Sequence, residues 1–287
     1  MLFLPFPPSP FLMLRNPVKQ KLREGKAVVG TWLNFPDASC ARMVCRAGFE
    51  YVCVDMEHSA FDWSTASAIF GFAASAGCVP LCRVPYGDEE NIKRALDAGA
   101  FGIVAPMVDT PEHARAIVDA CYYPPFGRRS VGYGLHFLNF GTSDADYKEK
   151  ANSEILCVLM IESPLGVSNA DAIMSVPGVD AIFVGPNDLR FQMTRTLPDG
   201  RMPKAEEFDA ARAEVHAAGV RTGVSTGVHT FSIEECKKEL EKGSRFLAIL
   251  SDVGFMNEAM AKTVREVGIV RDSMGGSGAV AGGLGKY

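Results

Sequence analysis

The sequence predicts an α/β protein built as a single (β/α)8 TIM barrel. Eight short apolar runs recur along the chain, at residues 27–35, 51–56, 79–85, 101–108, 155–163, 180–185, 221–226 and 245–251. They are almost continuously apolar, as expected of parallel strands buried on both faces. A helical stretch follows each run, and many of these stretches stop at a glycine. Eight strand–helix units in 287 residues favour a closed barrel over a doubly wound open sheet, the second choice.

The predicted barrel occupies residues 21–270, and no linker divides it. Residues 1–20 are apolar but interrupted by prolines and lack a basic start, so we expect a disordered tail or an arm on a neighbouring subunit rather than a secretory signal. Residues 271–287 are rich in glycine, which is typical of a flexible tail. Residues 122–147 form a long irregular segment, and such segments tend to serve a site or a subunit contact.

The composition argues against two classes of partner. A net charge of −5 speaks against nucleic acid and acidic membrane surfaces. No apolar run is long enough to span a bilayer. None of the eight cysteines forms a C-x-x-C pair, and several fall in apolar runs. We therefore expect reduced core thiols in a cytoplasmic protein, not a disulfide framework or a zinc site.

Two acidic residues follow consecutive predicted strands. Glu162 ends the fifth run, and Asp188 follows Gly185 and Asn187 after the sixth. The carboxyl ends of barrel strands meet on one face, where catalytic groups lie. Two neighbouring carboxylates repel unless a cation or a shared proton lies between them, and oxygen ligands suit Mg²⁺ or Mn²⁺. The alternative is that each carboxylate pairs with a separate Lys or Arg, or caps the next helix. The turn before Asp188 can also aim backbone N–H groups at a substrate carboxylate.

Further charged residues follow the second and third predicted strands. Asp55, Glu57 and His58 end the second, and Arg83 lies near the end of the third. A fixed guanidinium can stabilise an oxyanion, although an ion pair with a nearby carboxylate is the alternative. An imidazole titrates near working pH and can act as a general base, although a histidine at a strand end is more often structural. His229, after the seventh run, is a further candidate to line the barrel mouth.

Short motifs in a fixed order resemble the HpcH/HpaI aldolase/citrate lyase family of metal-dependent pyruvate aldolases. They are spread over roughly 27–265 and comprise G-x-W at 30–32, D-x-E-H at 55–58, R-V-P at 83–85, L-D-x-G-A at 96–100, PMVDT at 106–110, YPPFGRRSVG at 123–132, IES at 161–163 and VGPNDL at 184–189. The resemblance implies a barrel of the phosphoenolpyruvate/pyruvate type.

The resemblance also implies roles for individual residues. Glu162 and Asp188 would bind the divalent cation (Mg²⁺, Mn²⁺ or Co²⁺), which chelates the keto and carboxylate oxygens of pyruvate. Backbone N–H groups around Asn187 and Asp188, after Gly185, would hold the substrate carboxylate. Arg83 would stabilise the enolate oxygen. His58 would belong to the acid/base machinery, with Asp97 raising its basicity. Supporting positions are expected at Asp55, Glu57 and Arg129.

The implied function is cleavage of a 4-hydroxy-2-oxo acid to pyruvate and an aldehyde, an aldehyde-lyase reaction. The chain departs from the dicarboxylate aldolase pattern at Met160, where those members carry Gln, and at Ser130, where they carry Gly. The acceptor substrate is therefore left open. An oxaloacetate decarboxylase, or an enolate-adding enzyme resembling macrophomate synthase, is the alternative. A CoA-thioester lyase ranks lower because no basic patch is placed for a CoA phosphate, and a binding-only barrel is the non-enzyme alternative.

The resemblance implies small-molecule partners and self-association. The expected partners are a 2-oxo acid of the pyruvate or oxaloacetate class and an aldehyde. The last helix, about 254–267, and segment 122–147 offer surface for subunit contacts. We expect a homo-oligomer, a trimer or a hexamer.

Overall fold

Eight parallel strands close into one barrel, which confirms the predicted fold class. The computed structural model describes residues 15–132, 134 and 136–268. Each strand pairs with its neighbours in chain order, and the first also pairs with the last. The strands are β1 Val28–Leu33, β2 Tyr51–Asp55, β3 Val79–Arg83, β4 Gly102–Ala105, β5 Leu156–Ile161, β6 Ala181–Val184, β7 Ser225–Thr230 and β8 Phe246–Ser251.

Helices surround the barrel, and most of them begin beyond the carboxyl ends of the strands. Most begin at a side-chain cap, such as Asp62, whose carboxylate accepts from the Thr65 backbone N–H at 2.9 Å. The helices are α1 Pro17–Arg23, α2 Ala38–Arg46, α3 Trp63–Ser75, α4 Glu89–Asp97, α5 Pro111–Cys121, α6 His136–Asn139, α7 Asp144–Glu154, α8 Pro164–Ser168, α9 Ala170–Met174, α10 Pro186–Met193, α11 Ala205–Thr222, α12 Ile233–Glu241 and α13 Asp252–Val267. In the described ranges, no helix is both long enough and apolar enough to cross a membrane.

Aromatic rings fill the interior of the barrel. Tyr51 stacks on Phe246 with ring centroids 4.7 Å apart, and its hydroxyl donates to the Leu247 carbonyl at 2.7 Å. The Tyr51 ring needs a glycine opposite it, since a Cβ on Gly30 would lie 2.5 Å from its carbons. Packing of this density fixes the strand register and holds the carboxyl ends of the strands in place.

The seventh strand lies further along the chain than the sequence predicts. The predicted run was 221–226, whereas β7 spans Ser225–Thr230. The sequence predicts that the helix before it stops at Gly219, but this helix continues to Gly223, which is left-handed with φ 76°. Gly219 is instead a packing position, because a Cβ there would lie 2.4 Å from the Thr226 methyl. As a result, His229 lies inside β7, near its carboxyl end, rather than after it.

The amino end of the barrel is closed by a helix in the segment expected to be a tail. Helix α1 begins after Asn16, whose side chain accepts from the Val18 and Lys19 backbone N–H groups at 3.1 Å. The Lys19 ammonium is 3% exposed and lies 2.9 Å from an Asp180 oxygen. This part of the expected tail is therefore ordered structure. Residues 1–14 lie outside the described residues, as does the whole of the expected glycine-rich tail at 271–287.

The long segment at 122–147 is less irregular than expected, because it contains α6 and the start of α7. It follows α5, which returns the chain to the amino end of the barrel. Its fully buried Arg129 is a packing centre between the Tyr123 and Tyr147 rings, 4.6 and 5.7 Å from their centroids.

Candidate active site

Asp55 and Arg83 form the central ion pair at the carboxyl end of the barrel. They are register partners on neighbouring strands β2 and β3. Arg83 Nε donates to Asp55 Oδ1 at 2.8 Å, and Nη2 donates to Oδ2 at 2.7 Å. Burial alone would raise the pKa of Asp55, but the Arg83 hydrogen bonds outweigh it and hold the pKa below its ordinary value. The pair is therefore ionised at neutral pH.

Asp55 also orders the loop that carries the histidine. Its Oδ1 accepts from the backbone N–H groups of Glu57 and His58, both at 3.1 Å. Its Oδ2 accepts from the Asn34 amide at 2.9 Å, and the same amide group donates to Ser59 Oγ at 2.9 Å. One buried carboxylate thus fixes the guanidinium and the turn after β2 together.

Arg83 has a second carboxylate and an aromatic ring around it. Its Nη1 lies 3.1 Å from Glu57 Oε2, and its Cζ lies 4.4 Å from the Trp32 ring centroid. Burial raises the pKa of Glu57, with the Arg83 charge acting in the opposite direction. A guanidinium held on three sides has little freedom, so its position toward a bound oxyanion is fixed in advance.

Glu162 follows β5 and is almost completely buried, with 2% exposed. Its Oε1 accepts from the Met107 backbone N–H at 2.8 Å. Met107 adopts a left-handed conformation, with φ 52°, which is unusual for a residue with a side chain and turns its N–H toward the carboxylate. The other oxygen, Oε2, is buried and has no hydrogen-bond partner among the described residues.

The surroundings of Glu162 disfavour its negative charge unless a cation lies beside it. Burial raises its pKa to about 8, and the charge of Asp188 adds to the rise. Its Oε2 faces the backbone of Gly185, where a Cβ would lie 2.0 Å from it. Glycine at this position therefore leaves Glu162 Oε2 the space beside the turn that leads to Asp188.

Helix α10 begins at this turn without a side-chain cap, since Gly185 is the residue before it. Most other helices of the barrel begin at a capping side chain. The first N–H groups of a helix are unsatisfied unless a side chain or ligand accepts from them, and they favour an anion. The N–H groups of Asn187 and Asp188 lie in this first turn, where a substrate carboxylate can accept from them.

These residues fit a divalent cation. Two carboxylates with an unsatisfied oxygen, beside a turn rich in backbone donors, leave room for water and substrate oxygens, which is how Mg²⁺ is commonly held. Across the described ranges, no group of three or more His, Cys, Asp or Glu side chains gathers into a denser metal site. The donor set is all oxygen, so it suits Mg²⁺, Mn²⁺ or Co²⁺ better than a thiolate-binding ion.

His58 lies at the open side of the site. Its side chain is 61% exposed, and Nε2 lies 3.7 Å from Glu57 Oε1. The imidazole therefore borders the solvent-facing mouth, on the same loop that Asp55 orders. A group placed here can reach the part of a substrate that points out of the barrel.

Asp97 and Arg129 lie at the amino end of the barrel, opposite the site. Asp97 is the last residue of α4, which runs back to the amino end before β4 begins. Arg129 Nη2 donates to Asp97 Oδ1 at 2.7 Å, and buried His136 lies 4.0 Å from the same oxygen. A five-residue strand separates the two ends by on the order of 15 Å. The structure thus brings Asp97 to Arg129 but not to His58 of the same chain.

Three further residues support the site. The sequence analysis did not predict two of them and included the third only as part of a motif. Trp32 supports Arg83, Asn34 binds Asp55, and Asp252 accepts from the Asn34 and Phe35 backbone N–H groups at 2.9 and 3.0 Å. Asn34 and Asp252 directly follow β1 and β8. Their position after a strand was the available signal. Met160, the departure noted above, is buried in β5, and its Cε would lie 3.0 Å from a Cβ on Gly185.

Fold and site together define a barrel enzyme whose site contains two neighbouring acidic residues, Glu162 and Asp188, and a rigidly held arginine, Arg83. The chain matches the HpcH/HpaI aldolase/citrate lyase family over residues 29–259. A relative from Deinococcus radiodurans, named hydroxypyruvate/pyruvate aldolase, is 34% identical over 246 residues, which is 86% of this chain and 87% of the relative.

Solved structures agree with this match. A HpcH/HpaI aldolase/citrate lyase family protein from Burkholderia cenocepacia has a TM-score of 0.80 and 32% identity, covering 88% of this chain and all of that one. Macrophomate synthase has a TM-score of 0.76 and 25% identity, covering 90% of this chain and 92% of that one. This chain belongs to the HpcH/HpaI aldolase/citrate lyase family, and it is an enzyme of the aldolase and lyase class.

Proposed function

We propose that the chain is a divalent-cation-dependent aldolase that cleaves a 4-hydroxy-2-oxo acid to pyruvate and an aldehyde. The observation that carries the proposal is Glu162 Oε2, a buried oxygen without a partner beside Gly185 and the Asp188 charge. A native protein rarely leaves a buried carboxylate oxygen unsatisfied without a functional reason.

Each group has a task in the cleavage. The N–H groups at the start of α10 would donate hydrogen bonds to the substrate carboxylate, and Arg83 would face the C2 oxygen. A bound divalent cation would act as a Lewis acid and stabilise negative charge on that oxygen. The His58 imidazole would take the proton of the C4 hydroxyl. The O–H electron pair then forms the aldehyde carbonyl, and the pair of the breaking C3–C4 bond forms the enolate.

The second half of the reaction reuses the same groups. Arg83 would stabilise the enolate oxygen until the protonated His58 returns its proton to C3, which completes pyruvate. Asp55 would hold Arg83 in position and would not itself exchange a proton, because its pKa is held low. Glu57, next to both Arg83 and His58, would support the orientation of the imidazole.

The test combines turnover with direct cation binding. Pyruvate release is measured over a panel of 4-hydroxy-2-oxo acids with Mg²⁺, Mn²⁺ and Co²⁺, with and without EDTA. Binding of Mn²⁺ is followed by electron paramagnetic resonance in wild type, Glu162→Gln and the exposed control Glu112→Gln. We expect Glu162→Gln to weaken Mn²⁺ binding by about 100-fold, as loss of a ligand charge should. Full pyruvate release in excess EDTA would contradict the proposal.

A second candidate function is decarboxylation of oxaloacetate, with or without addition of the enolate to an acceptor. The similarity to macrophomate synthase favours it, and it uses the same cation and Arg83. Decarboxylation forms the enolate without removing a hydroxyl proton. His58→Ala should therefore abolish aldol cleavage by at least about 100-fold but leave oxaloacetate decarboxylation nearly intact. An equal loss of both activities in His58→Ala would show that the two reactions do not differ in their need for His58.

The remaining expectations concern assembly and location. Because Asp97 lies at the amino end, we propose that any contact with a His58 imidazole is made between two copies in a trimer or hexamer. The exposed apolar side chains of α13 support self-association. All eight cysteines are buried free thiols, which supports a cytoplasmic location.

A further inference from the structure

The seam between β1 and β8 contains a bulge near the carboxyl ends of the two strands. Gly30 pairs with Ala248 and Trp32 pairs with Ser251, so β8 has one residue more than β1 between these pairs. The extra residue is accommodated at Leu250, which is left-handed with φ 49° although it carries a side chain. One residue more or less in a strand exchanges the faces of all the side chains that follow. The bulge therefore sets the direction of the residues after β8.

Asp252 directly follows this strand and begins α13, and its side chain is 4% exposed. Its Oδ1 accepts from the Asn34 backbone N–H at 2.9 Å, and its Oδ2 accepts from the Phe35 N–H at 3.0 Å. Its remaining contacts are the Val253 N–H at 2.7 Å and the Cys40 thiol at 3.8 Å. Both carboxylate oxygens of Asp252 thus hold the loop that follows β1.

A buried carboxylate is an unfavourable group with which to order a loop. Among the described residues, no Lys, Arg or His lies within ion-pair distance of Asp252. Burial raises the pKa of Asp252, while the backbone hydrogen bonds from Asn34 and Phe35 lower it. An Asn side chain would avoid the charge, but it has one acceptor oxygen and would turn a donor toward the second N–H group. A charge kept here indicates that the placement of both N–H groups matters.

The loop held by Asp252 reaches the central ion pair of the site through one side chain. Asn34 Nδ2 donates to Asp55 Oδ2 at 2.9 Å, and the same oxygen accepts from Arg83 Nη2 at 2.7 Å. The Asn34 amide also donates to Ser59 Oγ at 2.9 Å, on the turn after β2. A shift of the Asn34 backbone would draw this amide away from Asp55, and the carboxylate could then turn together with Arg83.

We propose that Asp252 is a positioning residue for Arg83. The bulge in β8 aims the Asp252 carboxylate at the loop after β1. That loop holds Asn34 on Asp55, and Asp55 fixes the guanidinium where it stabilises the enolate oxygen. This inference rests on the proposed aldolase function and adds a residue that the cleavage mechanism does not include. Asp252 touches no reacting atom, so it acts only through Arg83.

A loss of positioning differs from a loss of stability in its effect on ligand binding. The keto oxygen of pyruvate is neutral, whereas the enolate oxygen is negatively charged, so Arg83 stabilises the enolate more than it stabilises bound pyruvate. Oxalate resembles the enolate because it carries negatively charged oxygens on both carbons. A displaced Arg83 should therefore weaken the binding of oxalate more than the binding of pyruvate. A general loss of stability should not change the ratio of the two dissociation constants.

The test measures the dissociation constants of oxalate and pyruvate by calorimetry on the Mn²⁺-loaded protein. The variants are Asp252→Asn, which exchanges one acceptor for a donor, and Asn34→Ala, which keeps the backbone contacts of Asp252 and removes the amide. We expect the ratio of the oxalate Kd to the pyruvate Kd to rise at least about tenfold in each variant. In an Arg83→Lys background, adding Asp252→Asn should change this ratio by less than about twofold, because the effect passes through Arg83.

The control is Asp180→Asn, at the amino end of the barrel. Asp180 is also a largely buried carboxylate, and its Oδ2 accepts from the Cys157 N–H at 2.9 Å. Its ionic partner is Lys19, and its contacts do not lead to the site. We expect Asp180→Asn to lower the temperature of thermal unfolding and to leave the ratio of the two dissociation constants as in wild type.

Two outcomes would overturn the inference. One is a ratio within about twofold of wild type in either Asp252→Asn or Asn34→Ala, and the other is an equal rise in Asp180→Asn. If Asp252→Asn does not fold, the ratio in Asn34→Ala decides, since this variant keeps the Asp252 carboxylate and its backbone partners.

Exchange of the pyruvate methyl protons with D₂O, followed by nuclear magnetic resonance, separates this inference from the proposed function. Wild type that exchanges these protons with Mn²⁺ forms the enolate, whatever the effect of Asp252→Asn. Wild type that neither exchanges them nor binds oxalate would overturn both proposals.

Discussion

Arg83 and Asp55 are joined by two parallel hydrogen bonds of 2.8 and 2.7 Å, and they are register partners on neighbouring strands. The pairing of β2 with β3 therefore sets the position of the guanidinium directly. Trp32 holds the other face of that guanidinium from β1. Three consecutive strands thus fix the Arg83 guanidinium. A group that must stabilise an oxyanion requires this rigidity.

Replacing Asp55 with Asn should cost both stability and activity. The Arg83 guanidinium is 11% exposed and would lose its anionic partner. We expect a loss of about 3 kcal/mol in the free energy of unfolding, measured by urea denaturation. We also expect kcat to fall at least about 100-fold, since a small displacement of a positioning group has that effect.

The matched control for this variant is an exposed pair that is also joined by two hydrogen bonds. Arg201 binds Glu207 through two bonds of 2.7 and 2.6 Å, with both side chains more than a third exposed. Glu207→Gln should leave both the free energy of unfolding and kcat close to those of wild type, because exposed ion pairs contribute little. Similar losses in Asp55→Asn and Glu207→Gln would show that the buried position of Asp55 has no special importance.

A methyl group added at Gly185 should displace the Glu162 carboxylate. The Cβ of Gly185→Ala would lie 2.0 Å from Glu162 Oε2, closer than any real contact. We expect Mn²⁺ affinity to fall at least about tenfold, because the carboxylate must turn away from the cation. The control is Gly254→Ala, where the nearest atom would lie 3.4 Å away. Unchanged Mn²⁺ binding in Gly185→Ala would mean that Oε2 is not a ligand.

Cation binding should depend on pH through Glu162. Its pKa in the folded protein is about 8, against an ordinary value of 4.5, so the carboxyl is neutral at pH 6 and must release its proton to bind a cation. Apparent Mn²⁺ affinity should rise by up to about tenfold per pH unit between pH 6 and 8 and then level off. In Glu162→Gln this rise should be absent. A wild-type affinity that is flat from pH 6 to 8 would contradict the raised pKa.

The same shift has a defined effect on stability. Between pH 4.5 and about 8 the folded chain keeps a proton on Glu162 that the unfolded chain has released. The folded state without a cation therefore loses stability as pH rises through this window. Thermal unfolding of the cation-free protein at pH 5 and pH 8 should show this decrease in wild type and a smaller one in Glu162→Gln.

Much of the barrel was predictable because its signals are local. Continuous apolar runs and helix-ending glycines identify strands and helices without any tertiary information. The seventh strand failed because Gly219 resembles a helix end in sequence, whereas its role is to let α11 pack on β7. That role depends on Thr226 across the interface, which no local pattern contains.

The site was predictable only in part, for a related reason. Glu162, Arg83 and Asp55 follow strands, so the fold alone directs them to one face. The support from Asn34 and Met107 depends on loop geometry and on a left-handed backbone at a residue that is not glycine. Asp97 is a different case, since a motif resemblance assigns a residue to a reaction but not to an end of the barrel or to one subunit.

Mixing two inactive variants should reveal whether Asp97 acts across subunits. His58→Ala and Asp97→Ala are each expected to reduce pyruvate release by at least about tenfold. If Asp97 of one copy serves His58 of another, co-unfolded and refolded mixtures contain some sites with both groups intact. Activity of the mixture should then exceed that of either variant alone. A mixture no more active than the better variant would place the function of Asp97 within its own chain, as a partner of Arg129.

The exposed face of α13 should control assembly. Met256, Met260 and Val264 recur every four residues on this helix, with 41%, 54% and 47% exposed. Such a stripe is costly in water and typical of a subunit contact. Met260→Glu would place a charge in that contact, so the mass measured by light scattering should fall below that of wild type. Lys262→Glu, on the same helix but already charged and 70% exposed, should keep the wild-type mass. A monomeric wild type, or a Met260→Glu variant of unchanged mass, would show that this face is not the contact.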